Sequence, residues 1–89
     1  MLTIKEAYEL VRILKEKHHV LVNVIDSKKY WAFQFLDRPL KKGDFVIGGG
    51  YDAIDKKTGD HTLIPIPYGM DLLRDGKKID IETLTFIKE

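Results

Sequence analysis

Two periods organise the apolar positions of this chain. From Leu2 to Lys17, Ile4, Ala7, Tyr8, Val11 and Leu14 recur at spacings of three and four, with Leu10 and Ile13 widening the stripe. That pattern predicts an amphipathic helix lying on a core. Lys5, Glu6, Glu9, Arg12, Lys15 and Glu16 fill the other face, with Lys5–Glu9 and Arg12–Glu16 at the spacing where opposite charges meet on a helix. Thr3 is placed as the N-cap, and Glu6 stands at capping-box distance from it. His18 and His19 follow at the helix end, where an imidazolium meets the negative end of the helix dipole favourably.

From Val20 the period changes to two. Val20 to Asp26 is β-branched and short, and Tyr30 to Leu36 alternates cleanly: Trp31, Phe33 and Phe35 on one face, Tyr30, Ala32 and Gln34 on the other. A domain of this size needs large core side chains, so the aromatic face is expected under the helix rather than as a stacking platform. A turn containing Pro39 leads to a third strand, expected to start at Phe45 and to run through Gly48, Gly49 and Gly50 to Ile54. Three consecutive glycines in a strand need a geometric reason: a bend or bulge, or the close approach of another backbone. Asp55 to Asp60 reads as a hairpin connection, with Asp55 bonding backbone two residues on and Gly59 supplying a positive φ. His61 to Pro67 is the returning strand, and Pro65 and Pro67 place it at a sheet edge or have it leave the sheet near its end.

Beyond it, Tyr68 to Asp75 suits a short helical turn, with Met70, Leu72 and Leu73 as cover for the core. Lys77 to Glu89 reads as a final strand or a peripheral tail, with Thr85 to Ile87 strand-like. The expected fold is α+β, one domain over residues 1–89. One N-terminal amphipathic helix packs on a curved antiparallel sheet of about four strands, with a C-terminal short helix or extra strand.

Composition narrows the classes. With 89 residues, 44% of them hydrophobic and 33% charged, the chain folds as one small domain that buries roughly 60–65% of its unfolded surface. Fifteen basic against 14 acidic residues give a net charge of +1, which is no footprint for nucleic acid. The absence of cysteine removes disulfides and thiolate chemistry and fits a reducing cytoplasm. Charges in the first ten residues replace the apolar run of a signal peptide, and no stretch reaches membrane-spanning length.

Candidate chemistry is sparse. The single serine, Ser27, sits in a lysine-rich turn, away from any evident base and orienting partner. The three histidines show no ligand spacing with other donors. The glycine run continues as strand, whereas a phosphate loop opens a helix and carries Lys followed by Ser or Thr. In the Asp55–Asp60 turn, lysines stand where a calcium loop needs oxygens. No catalytic residue, cofactor or metal is expected.

The segment GGGYDAIDKKTG, preceded by YWAFQF and the N-terminal helix bearing Ala7, resembles the immunity protein 35 (YrhB-like) family. Trp31 and Phe33 match its aromatic pair; Gly48, Gly49 and Gly50 match its glycine segment. Ile54, Asp55, Lys56, Thr58 and Gly59 match its turn. The likeness covers the first two-thirds of the chain; Tyr51 and the tail beyond Tyr68 depart from it. It implies a bacterial, cytoplasmic, non-enzymatic protein that neutralises a cognate toxin by direct binding, as a monomer or homodimer. On that reading the contact surface is drawn from the loops and from the sheet face opposite the helix: Tyr30, Gln34, Tyr51, Asp52, Lys56, Lys57, Asp60 and His61. The alternative is a chaperone-like or regulatory domain that self-associates through an edge strand.

Overall fold

Helix α1 (Ile4–Arg12) begins where the capping box directs it. The Glu6 N–H donates to Thr3 Oγ1 (3.2 Å) and the Thr3 N–H to Glu6 Oε1 (2.9 Å), which satisfies two of the orphan donors of the first turn. The N–H bond from Thr3 favours the ionised Glu6 carboxylate and holds its pKa below the usual value. The helix then stops earlier than the stripe predicts. The N–H groups of Leu14 and Lys15 bond back to Val11 and Arg12, and the Arg12 guanidinium takes the carbonyls of Glu16 (2.9 Å) and Lys17 (2.8 Å). Ala7 and Val11 are fully buried, but Leu10, Ile13 and Leu14 lie in the open, Ile13 at 79% exposure. The buried stripe ends at Val11 because the chain tightens and turns there.

The computed structural model describes residues 1–37, 50–66 and 69–88. Strands β1 (Val20–Asp26), β2 (Tyr30–Leu36), β3 (Gly50–Asp55), β4 (His61–Pro65) and β5 (Lys77–Ile79) form one antiparallel sheet in the order β4-β3-β2-β1-β5. The fold is α+β as expected, with five strands in place of about four. The strand start at Phe45, the bend at Gly48 and Gly49, and the turn at Pro39 lie outside the described residues, as do Pro67, Tyr68 and the side chain of Met70.

The first face of the sheet packs on α1. Ala7, Val11, Leu21, Val24, Phe33 and Ile54 form its buried core, with Trp31 and Phe35 against it, so the aromatic face of β2 is core. Burying a side chain such as Phe33 stabilises the fold by about 2–3 kcal/mol. Tyr8 joins Phe33, Phe35 and Phe86, with ring centroids 5.4–6.1 Å apart. β1 reaches this face through a bulge. Leu21 pairs with Phe35 and Asn23 with Gln34, leaving Val22 as the extra residue. Leu21 and Val24, an odd number of residues apart, therefore both face the helix.

The second face is covered too. Ala32, Tyr51, Ala53 and Ile64 pack with Leu73, carried by the 3₁₀ turn Met70–Leu73. This corrects the expectation that the face opposite the helix is open for contact. The tail is also not peripheral: Ile79, Ile81, Leu84 and Ile87 pack on the helix-side core. Thr85–Lys88 is 3₁₀ rather than strand.

Two glycines carry geometric duties. Gly59 adopts φ +78° in the hairpin, as its place there requires. At Gly50 a Cβ would stand 2.8 Å from the Ile64 carbonyl oxygen. The close approach of the neighbouring strand is thus the reason for that glycine.

Candidate functional site

Alternation along β3 sets the geometry of the two polar clusters on the helix side. Ile54 faces Trp31, and Asp52 faces Phe33 and Leu63, so Asp52 points toward the helix. The same parity carries to Lys56, two residues beyond Ile54.

The Lys56 ammonium donates to Asp26 Oδ1 and to the Ser27 carbonyl, and lies 4.1 Å from the Trp31 ring centroid. The backbone closes the same knot. Leu2 N–H donates to the Lys56 carbonyl (2.8 Å), and the Trp31 indole N–H donates to the Leu2 carbonyl (3.0 Å). Lys56 N–H donates to the Lys29 carbonyl (2.9 Å). Four segments are tied at one point, and the side chain is only 11% exposed.

At the other end of β3, Asp52 is the buried member, with its side chain 6% exposed. Its Oδ2 meets Lys15 Nζ at 2.7 Å, and its Oδ1 accepts from His61 Nε2 at 2.7 Å. Lys15 reaches it from the turn after α1. Arg12 holds that turn by its two carbonyl bonds and stacks on Phe35, 5.7 Å from its centroid. His19 Nδ1 accepts from the Glu16 N–H and the His18 ring stacks on it, so this histidine pair serves the turn. His61 comes from the edge strand β4. Asp52 thus joins the end of the helix to the edge of the sheet. A buried carboxylate is tolerable only with such partners.

One exposed apolar side chain flanks the cluster. Leu63, cross-strand from Asp52, is 62% exposed. Elsewhere, Leu10 lies near Gly59 of the hairpin, and Leu14 precedes Lys15 in the sequence; both are exposed. The helix covers Phe33 and Ile54 but leaves Leu63 open.

Of the eight residues expected at the surface, Lys57, Asp60 and His61 are exposed. Gln34, Tyr51 and Asp52 are buried, and Lys56 nearly so. Gln34 Oε1 accepts from Asn23 Nδ2 (2.6 Å), and burial pushes the Tyr51 hydroxyl pKa up. Tyr30 is half-buried in the second core, with the Lys29 ammonium 5.3 Å from its ring centroid. The structure brings Asp52 and His61 together and ties Lys56 to Trp31; Tyr30, Gln34 and Tyr51 belong to the opposite face. Lys15, Leu14 and Leu63 were missed. Lys15 read as a solvated helix position, and Leu14 read as core.

Chemically, the Asp52–His61 pair has the orientation of a base held by a carboxylate, but Lys15 shares the same carboxylate. Among the described residues, His61 is hydrogen-bonded to no hydroxyl or thiol, and no group of three or more His, Cys, Asp or Glu residues could hold a metal ion. The arrangement fixes charge next to apolar surface, which suits recognition. No helix among the described residues is long and apolar enough to cross a membrane. No protein-family model matches the chain, and no curated protein or solved structure matches it either.

Proposed function

We propose that this chain is a small non-enzymatic protein-binding module of the toxin-immunity kind, which neutralises a cognate bacterial toxin by occupying its surface. The contact is made by the turn after α1 and by β4, and the chain contributes no chemistry of its own. One observation carries the reading: Leu63 stands uncovered beside the Lys15–Asp52–His61 cluster, on the face where Phe33 and Ile54 are buried. Apolar area supplies affinity in such a contact, and fixed charges supply register and partner choice. The toxin as partner is supported by the resemblance at Trp31, Phe33, Gly48 to Gly50 and the Ile54–Gly59 turn. Those motif residues that lie among the described ones serve the fold, so the contact surface lies beside the motif.

Isothermal titration against the product of a toxin gene adjoining this one tests the proposal. The double variant Leu14→Asp/Leu63→Asp should weaken binding by roughly tenfold or more with an unchanged unfolding midpoint. Undiminished binding by that variant, or no binding by the native chain, overturns it. A second reading, self-association, is favoured by the position of β4 at the sheet edge; light scattering that shows a strict monomer removes it.

A further inference from the structure

We infer that the lysine-bearing end of the sheet is a second docking surface, shaped for an acidic segment of a protein partner. It is separate from the α1–β4 face and stands without the immunity reading. Three segments meet there: the β1–β2 turn, the β3–β4 hairpin, and the entry to β5 at Lys77. Lys28, Lys29, Lys57 and Lys77 are all exposed. Two clefts run side by side between them. One, of about 250 Å³, is lined by Met1, Lys28, Lys29, Asp55, Lys56 and Lys57. The other, of about 370 Å³, is lined by Asp26, Ser27, Lys28, Lys56, Asp75 and Lys77.

The carboxylates at this end are already committed. Asp26 receives the Lys56 ammonium. Asp55 accepts the N–H groups of Lys57 (2.8 Å) and Thr58 (3.1 Å). Asp75 accepts the N–H of Lys28 (2.8 Å), and Asp60 lines neither cleft. The acidic side chains are thus bonded to backbone or to the buried lysine, while four exposed lysines stand around two concave sites.

A protein segment with discrete carboxylates fits this surface better than a nucleic acid does. The net charge of the chain is only +1, so long-range attraction for a phosphate backbone is weak. Two aromatic rings at this end each carry an ammonium group already, Lys56 over Trp31 and Lys29 over Tyr30, which disfavours base stacking there. Separate glutamates or aspartates can each settle on one ammonium between them.

The test uses a fluorescently labelled glutamate-rich peptide and a single-stranded oligonucleotide of equal charge, each titrated into the full chain with anisotropy as readout. The peptide should bind saturably, and its affinity should fall roughly tenfold between about 20 mM and 200 mM salt. Lys28→Glu/Lys57→Glu should abolish binding, and Leu14→Asp/Leu63→Asp should leave it unchanged. The milder Lys28→Ala/Lys57→Ala, expected to weaken binding at least several-fold, replaces the charge reversal if that variant does not fold. No saturable peptide binding, binding indifferent to the lysine variants, or an oligonucleotide that binds as tightly as the peptide each overturns the inference.

Discussion

The two ion clusters at either end of β3 share a face of the sheet and are built in opposite senses. At the hairpin end the cation is enclosed: Lys56 is 11% exposed and its carboxylate partner Asp26 is 42% exposed. At the helix end the anion is enclosed: Asp52 is 6% exposed, against 25% for Lys15 and 37% for His61. Lys56 has three kinds of partner, a carboxylate, a carbonyl and an aromatic ring. The loss of any one leaves the others in place. Asp52 depends on two side chains from two different elements, both more exposed than itself, so whatever touches those side chains also touches its balance. The first cluster is an anchor of the fold. The second rests on more exposed partners, and the open side chain of Leu63 borders it.

The sharpest way to break this contrast is to strip Asp52 of both partners. Lys15→Ala/His61→Ala leaves a buried carboxylate without either of its partners and should cost about 3 kcal/mol in urea unfolding. Adding Asp52→Ala to that pair should return most of the loss, whereas a cluster that did not matter to stability would show neither change. Next in size, Lys56→Ala should cost about 2 kcal/mol, through its hydrogen bonds and the cation–π contact. A loss near zero would show that the hairpin end is not an anchor.

Gly50→Ala forces a methyl against the Ile64 carbonyl and pushes β4, with His61 and Leu63, away from β3. A cost of about 1–2 kcal/mol is expected, with a matching change in the His61 ring signals by NMR. Acid should weaken the hairpin end as well. The N–H groups of Lys57 and Thr58 hold the Asp55 carboxyl pKa below its usual value. Its contribution is therefore complete above the unfolded value of about 4 and is lost as pH falls through the lower folded value. The urea midpoint should drop in that range for the native chain and less so for Asp55→Asn. The smallest effect belongs to Lys57→Ala, expected within about 0.5 kcal/mol; a larger loss would mean that both hairpin lysines anchor the fold.

Lys56 and Lys57 also show where sequence reading stops. They are adjacent, chemically identical and set in one turn, yet one is enclosed and the other is free. The deciding information is parity counted from Ile54, together with the presence of Trp31 and Asp26 on the neighbouring strands, and pairing register is not written in a turn motif. The capping box at Thr3 and Glu6, the alternation of Trp31, Phe33 and Phe35, the positive φ of Gly59 and the edge position of β4 were legible because each follows from local chemistry. The burial of Gln34, Tyr51 and Asp52 was not. For Tyr51 it depends on Leu73 from the chain after β4, and for Asp52 on Lys15 from the turn after α1 and His61 from β4. Leu14 misled for a related reason, since periodicity shows which face a residue would occupy in a helix and not where Arg12 ends it.

The extra residue at Val22 gives β1 two frames. The odd-numbered position Leu21 and the even-numbered position Val24 answer to the same helix, so the strand is a splice of two half-strands read out of phase. Removing Val22 would restore an unbroken ladder and still misfile a side chain. Either Leu21 would turn to the wrong face of the sheet, or the whole inner half would. For this protein an uninterrupted strand would be the defective one, and an insertion or deletion anywhere in β1 acts as a frameshift in three dimensions.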